Sequence, residues 1–314
     1  MRRFFHLFID GLGLGEDRKE NPVRDLFSAF MEGMPLVKQV SASGEELPRP
    51  FKGGVLIPTD PIMGIPGIPQ SATGQTSLFT GINAQAELGF HLTAFPNEKL
   101  VRIIEERSLL KVLNEAGVGV TSANMYTKEF LTLRGARRRN MFPVSTLSIM
   151  ASGIPFRYPE EYHLKMAVFA DITNEMIRQR GYYVPLISPD EGGQRVINIL
   201  KEVPAVFFEY FMTDVLGHRR EWEKLRHRAD DLNQFVGSIL EKSADWDDFT
   251  LLITSDHGNC EDLSSADHSL NRIPTIIFSN QPEVLRYASR TIHTLTDVYD
   301  FVLSLLVDRI GLKN

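Results

Sequence analysis

The chain has 314 residues, 43% of them hydrophobic and 24% charged, so it can bury a sizeable core and does not have the composition of a disordered segment. A formal charge of −6 argues against nucleic acid as a bulk partner, because such binding calls for a basic face. A single cysteine, Cys260, excludes an intramolecular disulfide and fits a reducing, cytoplasmic setting.

The first residues read MRRFFHLFIDG. Two arginines before an apolar run suggest a secretory leader, but the run is short, His6 interrupts it, and Asp10 follows with no small-residue cleavage site. It reads instead as a buried strand over 4–9. Further buried parallel strands are expected over 117–122, 205–212, 250–254 and 273–278, whose apolar runs lack the alternation of half-exposed strands. Between them lie helical patterns at 100–116, 189–201, 220–243 and 295–308, the last with Thr296 and Asp297 as cap and acidic first turn. No stretch approaches the ~18 apolar residues of a membrane span, so no membrane partner is expected.

Strands alternating with helices predict an α/β fold with a mostly parallel central sheet and helices on both faces. Residues 126–183 break the alternation. They hold several prolines, a helix-like run over 166–180 and the basic cluster Arg134, Arg137, Arg138 and Arg139. This stretch reads as an inserted cap over a core formed by 1–125 and 184–314. The arginines either grip a substrate phosphate or carboxylate or form a solvated loop. Arg157 and His91 are weaker candidates and stay outside the site.

Acidic and histidine residues gather at predicted strand ends. Asp10 closes the first apolar run, Asp214 and His218 stand in FMTDVLGH, Asp256 and His257 in LLITSDHGN, and His268 in ADHSLNRIP. Ligands of open α/β sheets bind beyond the carboxyl ends of the strands, so three distant aspartates can converge there. The four-residue spacing of Asp214 and His218 places both on one side of a helical turn, and Gly258-Asn259 can turn the chain so that both Asp256 and His257 reach one ion. The alternative for Asp214 is a helix cap beside a surface histidine. Cys260 reads as a small residue near a buried strand end.

Ser71 follows the turn-rich GIPGIPQ and precedes a predicted helix over 72–80. A serine at a helix N-terminus lies where backbone N–H groups favour an anion, and a bound cation would lower its pKa. It is either an ordinary N-cap or a nucleophile, with Thr73 as the second-choice hydroxyl. The full set predicts a two-metal phosphoryl-transfer enzyme.

These motifs resemble the alkaline phosphatase superfamily, which includes cofactor-independent phosphoglycerate mutases, phosphopentomutases, sulfatases and nucleotide phosphodiesterases. The resemblance covers about residues 1–125 and 185–310. It implies one metal on Asp214, His218 and His268, and a second on Asp10, Ser71, Asp256 and His257. Ser71 also precedes Gly81 by ten residues, an interval common in that superfamily. It further implies in-line displacement at Ser71, with two divalent cations, Zn²⁺ or Mn²⁺, suited to oxygen and nitrogen donors. Ser71 is followed by Ala-Thr-Gly-Gln, which departs from the sulfatase pattern. The DHGN segment and HLTAFPNEKL are similar to phosphopentomutase. Both mutase branches usually carry Gly-His after the nucleophile, where this chain has Gly74-Gln75. The expectation is a phosphate-ester hydrolase, phosphatase or phosphodiesterase, acting on a small phosphorylated substrate. A phosphomutase is the first alternative, and a non-catalytic phospho-ligand-binding protein is the alternative of another class.

Overall fold

Seven strands form one sheet: β1 (Arg3–Ile9), β2 (Arg49–Phe51), β3 (Gly54–Thr59), β4 (Val120–Ser122), β5 (Ala205–Tyr210), β6 (Phe249–Thr254) and β7 (Ile273–Ser279). Their spatial order is β2-β3-β7-β6-β1-β5-β4. The computed structural model describes residues 2–137 and 141–308.

The four strands β6-β1-β5-β4 are parallel, as the alternation predicts. On the other flank β7 pairs antiparallel with β6 and β3, and β2 antiparallel with β3. The reading of 273–278 as a parallel strand is therefore corrected. A loop rather than a crossover helix links β6 to β7, so the chain returns alongside the strand it has just left. The short β2 and β3 have no clean sequence signature, and Pro50 and Pro58 interrupt their patterns.

Side chains of the central strands alternate between two apolar clusters, which explains their unbroken hydrophobic runs. Phe5, Leu7 and Ile9 of β1 join Val206, Phe208 and Tyr210 of β5 on one face. The helices Pro189–Glu202 and Trp222–Lys242 cover that face and pack along each other. Phe4 and Phe8 join Ala205 and Phe207 on the opposite face, beneath the helices Ser71–Thr80, Glu98–Arg107, Leu109–Glu115 and Leu295–Leu306. His6 and Glu209 fall in the sequence positions of this second face. They are the polar exceptions in otherwise apolar strand runs.

Several expected helices are re-cut. The 100–116 pattern divides at Ser108, whose extended backbone (φ −58°, ψ 139°) ends one helix and starts the next. The last helix is capped by Thr294 rather than Thr296, with Asp297 Oδ2 accepting from the Thr294 N–H at 2.8 Å. The 166–180 run is not one helix. Val168 bridges Asn124 in extended backbone, and the Asp171 carboxylate accepts from the N–H groups of Asn174 (3.0 Å) and Met176 (2.6 Å), starting only the short helix Glu175–Gln179.

Segment 126–183 contributes to two places. The helix Val144–Ser152 packs on Glu98–Arg107 and Leu109–Glu115 and adds Val144, Leu147 and Ile149 to the second-face cluster. Tyr162, Phe169 and Ile177 instead form a separate small cluster with Met125, Val184 and Ile187. Arg138 and Arg139, with the side chains of Arg134 and Arg137, lie outside the described residues.

Candidate metal centre

Strand register brings the acidic residues to one level. Ile9 pairs with Tyr210 and Phe8 with Thr254, so carrying the β1–β6 register two residues further sets Asp256 beside Asp10. Asp214 is the third residue of the helix Met212–Arg219, which starts just after β5, and His218 lies one turn further along it. His268 comes from the loop between β6 and β7. Ser71 opens the helix Ser71–Thr80.

The structure brings all seven residues together. His257 Nε2 stands 3.3 Å from Asp10 Oδ1, 3.4 Å from Asp256 Oδ2 and 3.0 Å from Ser71 Oγ. Its ring stacks on that of His268 with centroids 3.7 Å apart. Asp214 meets His268 Nε2 at 3.5 Å through Oδ1 and His218 Nε2 at 3.4 Å through Oδ2. Ligand atoms converge in two groups, Asp10 with Asp256 and His257, and Asp214 with His257 and His268. His257 belongs to both groups and sits between them.

The donor chemistry fits divalent cations. His218 Nδ1 lies 2.7 Å from the carbonyl of Ala266, and His268 Nδ1 lies 2.8 Å from that of Pro69. A carbonyl only accepts, so both Nδ1 atoms carry hydrogen and donate. The two Nε2 atoms then face each other across 3.1 Å, each offering a lone pair unless a proton comes between. Asp10 Oδ1 and Asp256 Oδ2 are buried without a hydrogen-bond partner, an arrangement that costs free energy unless a cation satisfies it.

Electrostatics point the same way. Burial, then the charges of Asp256, Asp214 and Glu209, push the Asp10 carboxyl well above its usual range. Burial alone would raise Asp214 too, but its hydrogen bonds with His218 and His268 outweigh it and hold that carboxyl well below the ordinary value. The bond to Asp214 pushes His218 up to about 9.

Residues 166–307, the stretch that carries Asp214, His218, Asp256, His257 and His268, match the Metalloenzyme superfamily. This stretch, somewhat under half of the chain, is thus similar to that superfamily, and the fold is alkaline phosphatase-like. It is 24% identical over 268 residues to the phosphopentomutase of Limosilactobacillus reuteri, covering 79% of this chain and 66% of that protein. It thus spans just under two thirds of the length of the curated relatives it matches. Among solved structures, the PH0037 protein from Pyrococcus horikoshii superposes with a TM-score of 0.55 at 16% identity, covering 100% of this chain and 98% of that one. A cold-active alkaline phosphatase from Shewanella sp. gives a TM-score of 0.51 at 10% identity, covering 96% and 99%. At these identities the two structures speak for the fold alone.

Several residues around this candidate centre escaped the sequence reading. Glu261, buried, takes the N–H groups of Gly13 (3.0 Å) and Asn259 (2.8 Å) and the amide of Asn271 (3.0 Å), and also bonds Ser269 Oγ. It clamps the loop after β1 to the DHGN loop. Asn259 Nδ2 donates to Asp214 Oδ1 at 3.0 Å, and Gln75 Nε2 to Asp10 Oδ2 at 3.2 Å. Glu209, pushed up to about 7 chiefly by burial, accepts from Ser145 Oγ at 2.5 Å. A charged residue inside the apolar strand AVFFEY was the available signal for Glu209. The signal for Glu261 was only its closeness to DHGN.

The remaining candidates have structural partners. Thr73 is buried, donates to the Gln70 carbonyl at 3.2 Å and accepts from Leu92 N at 3.3 Å. Arg157 binds the carbonyls of Ser122 (2.9 Å) and Met166 (2.7 Å), and His91 Nε2 binds that of Ile65 (2.8 Å). Cys260 is buried, with its N–H on the Gly11 carbonyl at 3.0 Å. Gly81 ends the Ser71 helix at φ +69°, and an added Cβ would stand 2.5 Å from the Tyr299 ring, so glycine serves both the turn and the packing there.

Proposed function

We propose that this chain is a metal-dependent phosphate-ester hydrolase in which Ser71 is the nucleophile. The observation that carries the reading is the position of Ser71 Oγ, 3.0 Å from the one histidine that joins both ligand groups. Asp214, His218 and His268 would hold one divalent cation, and Asp10, Asp256 and His257 a second, with Ser71 Oγ adjoining them. The oxygen and nitrogen donor set suits Zn²⁺ or Mn²⁺. Bound there, the cations would lower the pKa of the serine hydroxyl and offset charge on the transferring phosphoryl group.

The protein's own groups orient the reaction. The first turn of the Ser71–Thr80 helix presents backbone N–H groups and the positive end of its dipole beside Ser71, where a phosphoryl group is stabilised. Gln75 and Asn259 hold Asp10 and Asp214 in place through hydrogen bonds to one oxygen of each carboxylate. Phosphorus would pass to Ser71 Oγ as the bond to the departing alcohol breaks, and water would then release phosphate and restore the serine. Residues 126–183, as a cap, supply part of the wall above this centre. The single, buried Cys260 favours a reducing, cytoplasmic setting.

Phosphomutase action is the second reading, favoured by the match to phosphopentomutase. The test is hydrolysis of an aryl phosphate monoester and the matching diester by Zn²⁺- or Mn²⁺-loaded protein, against Ser71→Ala. Turnover that disappears in the variant supports the hydrolase. Absence of hydrolysis, with interconversion of pentose phosphates followed by ³¹P NMR, would replace it by the mutase.

A further inference from the structure

We infer that the group esterified to the transferred phosphate is a flat, apolar ring rather than a polyol sugar. The inference rests on the phosphoryl-transfer reading and specifies its substrate class. A cavity of about 450 Å³ opens from the candidate metal centre, with Asp10, Ser71 and Asp214 in its wall. That is the size of a small-ligand site. The lining also carries Phe95, Tyr126, Phe130, Phe169 and Phe211, drawn from separate parts of the chain. Tyr126 and Phe130 already pack with ring centroids 5.9 Å apart, and Phe130 rests against Phe142 at 6.0 Å.

The polar residues of this wall are largely committed to the protein itself. Asn124 gives its amide to the Glu209 carbonyl and takes the Glu209 N–H, both at 2.9 Å. Thr127 Oγ1 accepts from Phe130 N at 3.2 Å, and Gln75 is bound to Asp10. Among the described residues the only cationic side chain of the lining is Arg180, which is exposed. Each sugar hydroxyl buried here without a partner would cost roughly 1–3 kcal/mol. An aromatic ring would lose nothing of that kind and would gain edge or face contact with Phe and Tyr rings, worth about 0.5–1.5 kcal/mol per pair beyond its buried area.

Titration calorimetry of the Zn²⁺-loaded protein with phenylphosphonate and methylphosphonate tests this without turnover, and kcat/KM for phenyl phosphate and glycerol 2-phosphate gives the matching kinetic ratio. The expected result is at least about tenfold tighter binding of the phenyl compound, with a kinetic preference in the same direction. Phe130→Leu and Phe95→Ala should each shrink the phenyl-to-methyl ratio several-fold. Equal binding of the two phosphonates, or a preference unmoved by both substitutions, would overturn the inference and leave the hydrolase reading standing. Binding of neither phosphonate with cleavage of neither ester would overturn both.

Discussion

A methyl group on the α-carbon of Gly74 would stand 2.8 Å from the carbonyl oxygen of Asp256 and 3.2 Å from its Cβ. The helix that presents Ser71 and the loop that presents Asp256 thus meet where only glycine fits. In an ordinary helix interior, Gly→Ala gains about 1 kcal/mol. Here the new methyl meets backbone, which cannot swing aside, so the Asp256 loop must move. Gly74→Ala should keep its far-UV circular dichroism while losing about tenfold or more in kcat/KM, the scale of a slightly misplaced reacting group. Full activity in this variant would show that the contact does not set the site.

Metal content separates the two ligand groups. Asp256→Asn removes a carboxylate from the group containing Asp10, and His268→Ala removes a nitrogen from the group containing Asp214. Each variant should retain less zinc after dialysis than the wild type, as measured by plasma mass spectrometry. Ser71→Ala should retain most of the metal but lose turnover by about a thousandfold or more, as expected for a missing nucleophile. Retained turnover in Ser71→Ala would remove Ser71 from the chemistry.

Glu261 acts through others. Its carboxylate holds Gly13, Asn259 and Asn271, and Asn259 in turn holds Asp214. Glu261→Gln keeps the shape but replaces one acceptor oxygen with a donor facing N–H groups. Losses from a disturbed network around metal ligands run about 10–100-fold in metal affinity. Competition with a fluorescent chelator would measure it. An affinity equal to wild type would make Glu261 a purely local loop brace.

His6 makes folding stability fall in acid. It is buried among the rings of Phe4, Phe79 and Phe207, neither ring nitrogen has a partner, and burial lowers its pKa to about 3. The unfolded chain takes up that proton near pH 6.5 and the folded chain does not, so stability rises with pH through the window from 3 to 6.5 and is lost as pH falls. Each pH unit inside the window is worth about 1.4 kcal/mol, giving roughly 2 kcal/mol between pH 6.5 and pH 5. His6→Leu should remove that part of the acid loss in urea denaturation of the metal-free protein. Equal acid losses in both proteins would place the sensitivity elsewhere.

Sequence by itself determined the residues whose chemistry declares them. Asp10, Asp214 and Asp256 follow apolar runs that read as buried strands, and the DHGN turn and the Asp214–His218 spacing are local patterns. Local patterns survive folding because strand and helix periods are fixed by backbone geometry. Only the tertiary structure decided what depends on contacts between distant segments. That includes the reversed direction of β7, the break at Ser108, the division of 126–183 between a core face and a small separate cluster, and the aromatic wall of the cavity. Glu261 and Gly74 show the reason most plainly. A glutamate on a loop and a glycine in a helix have no local signature of function, and each acquires its meaning from the segment that folding sets against it.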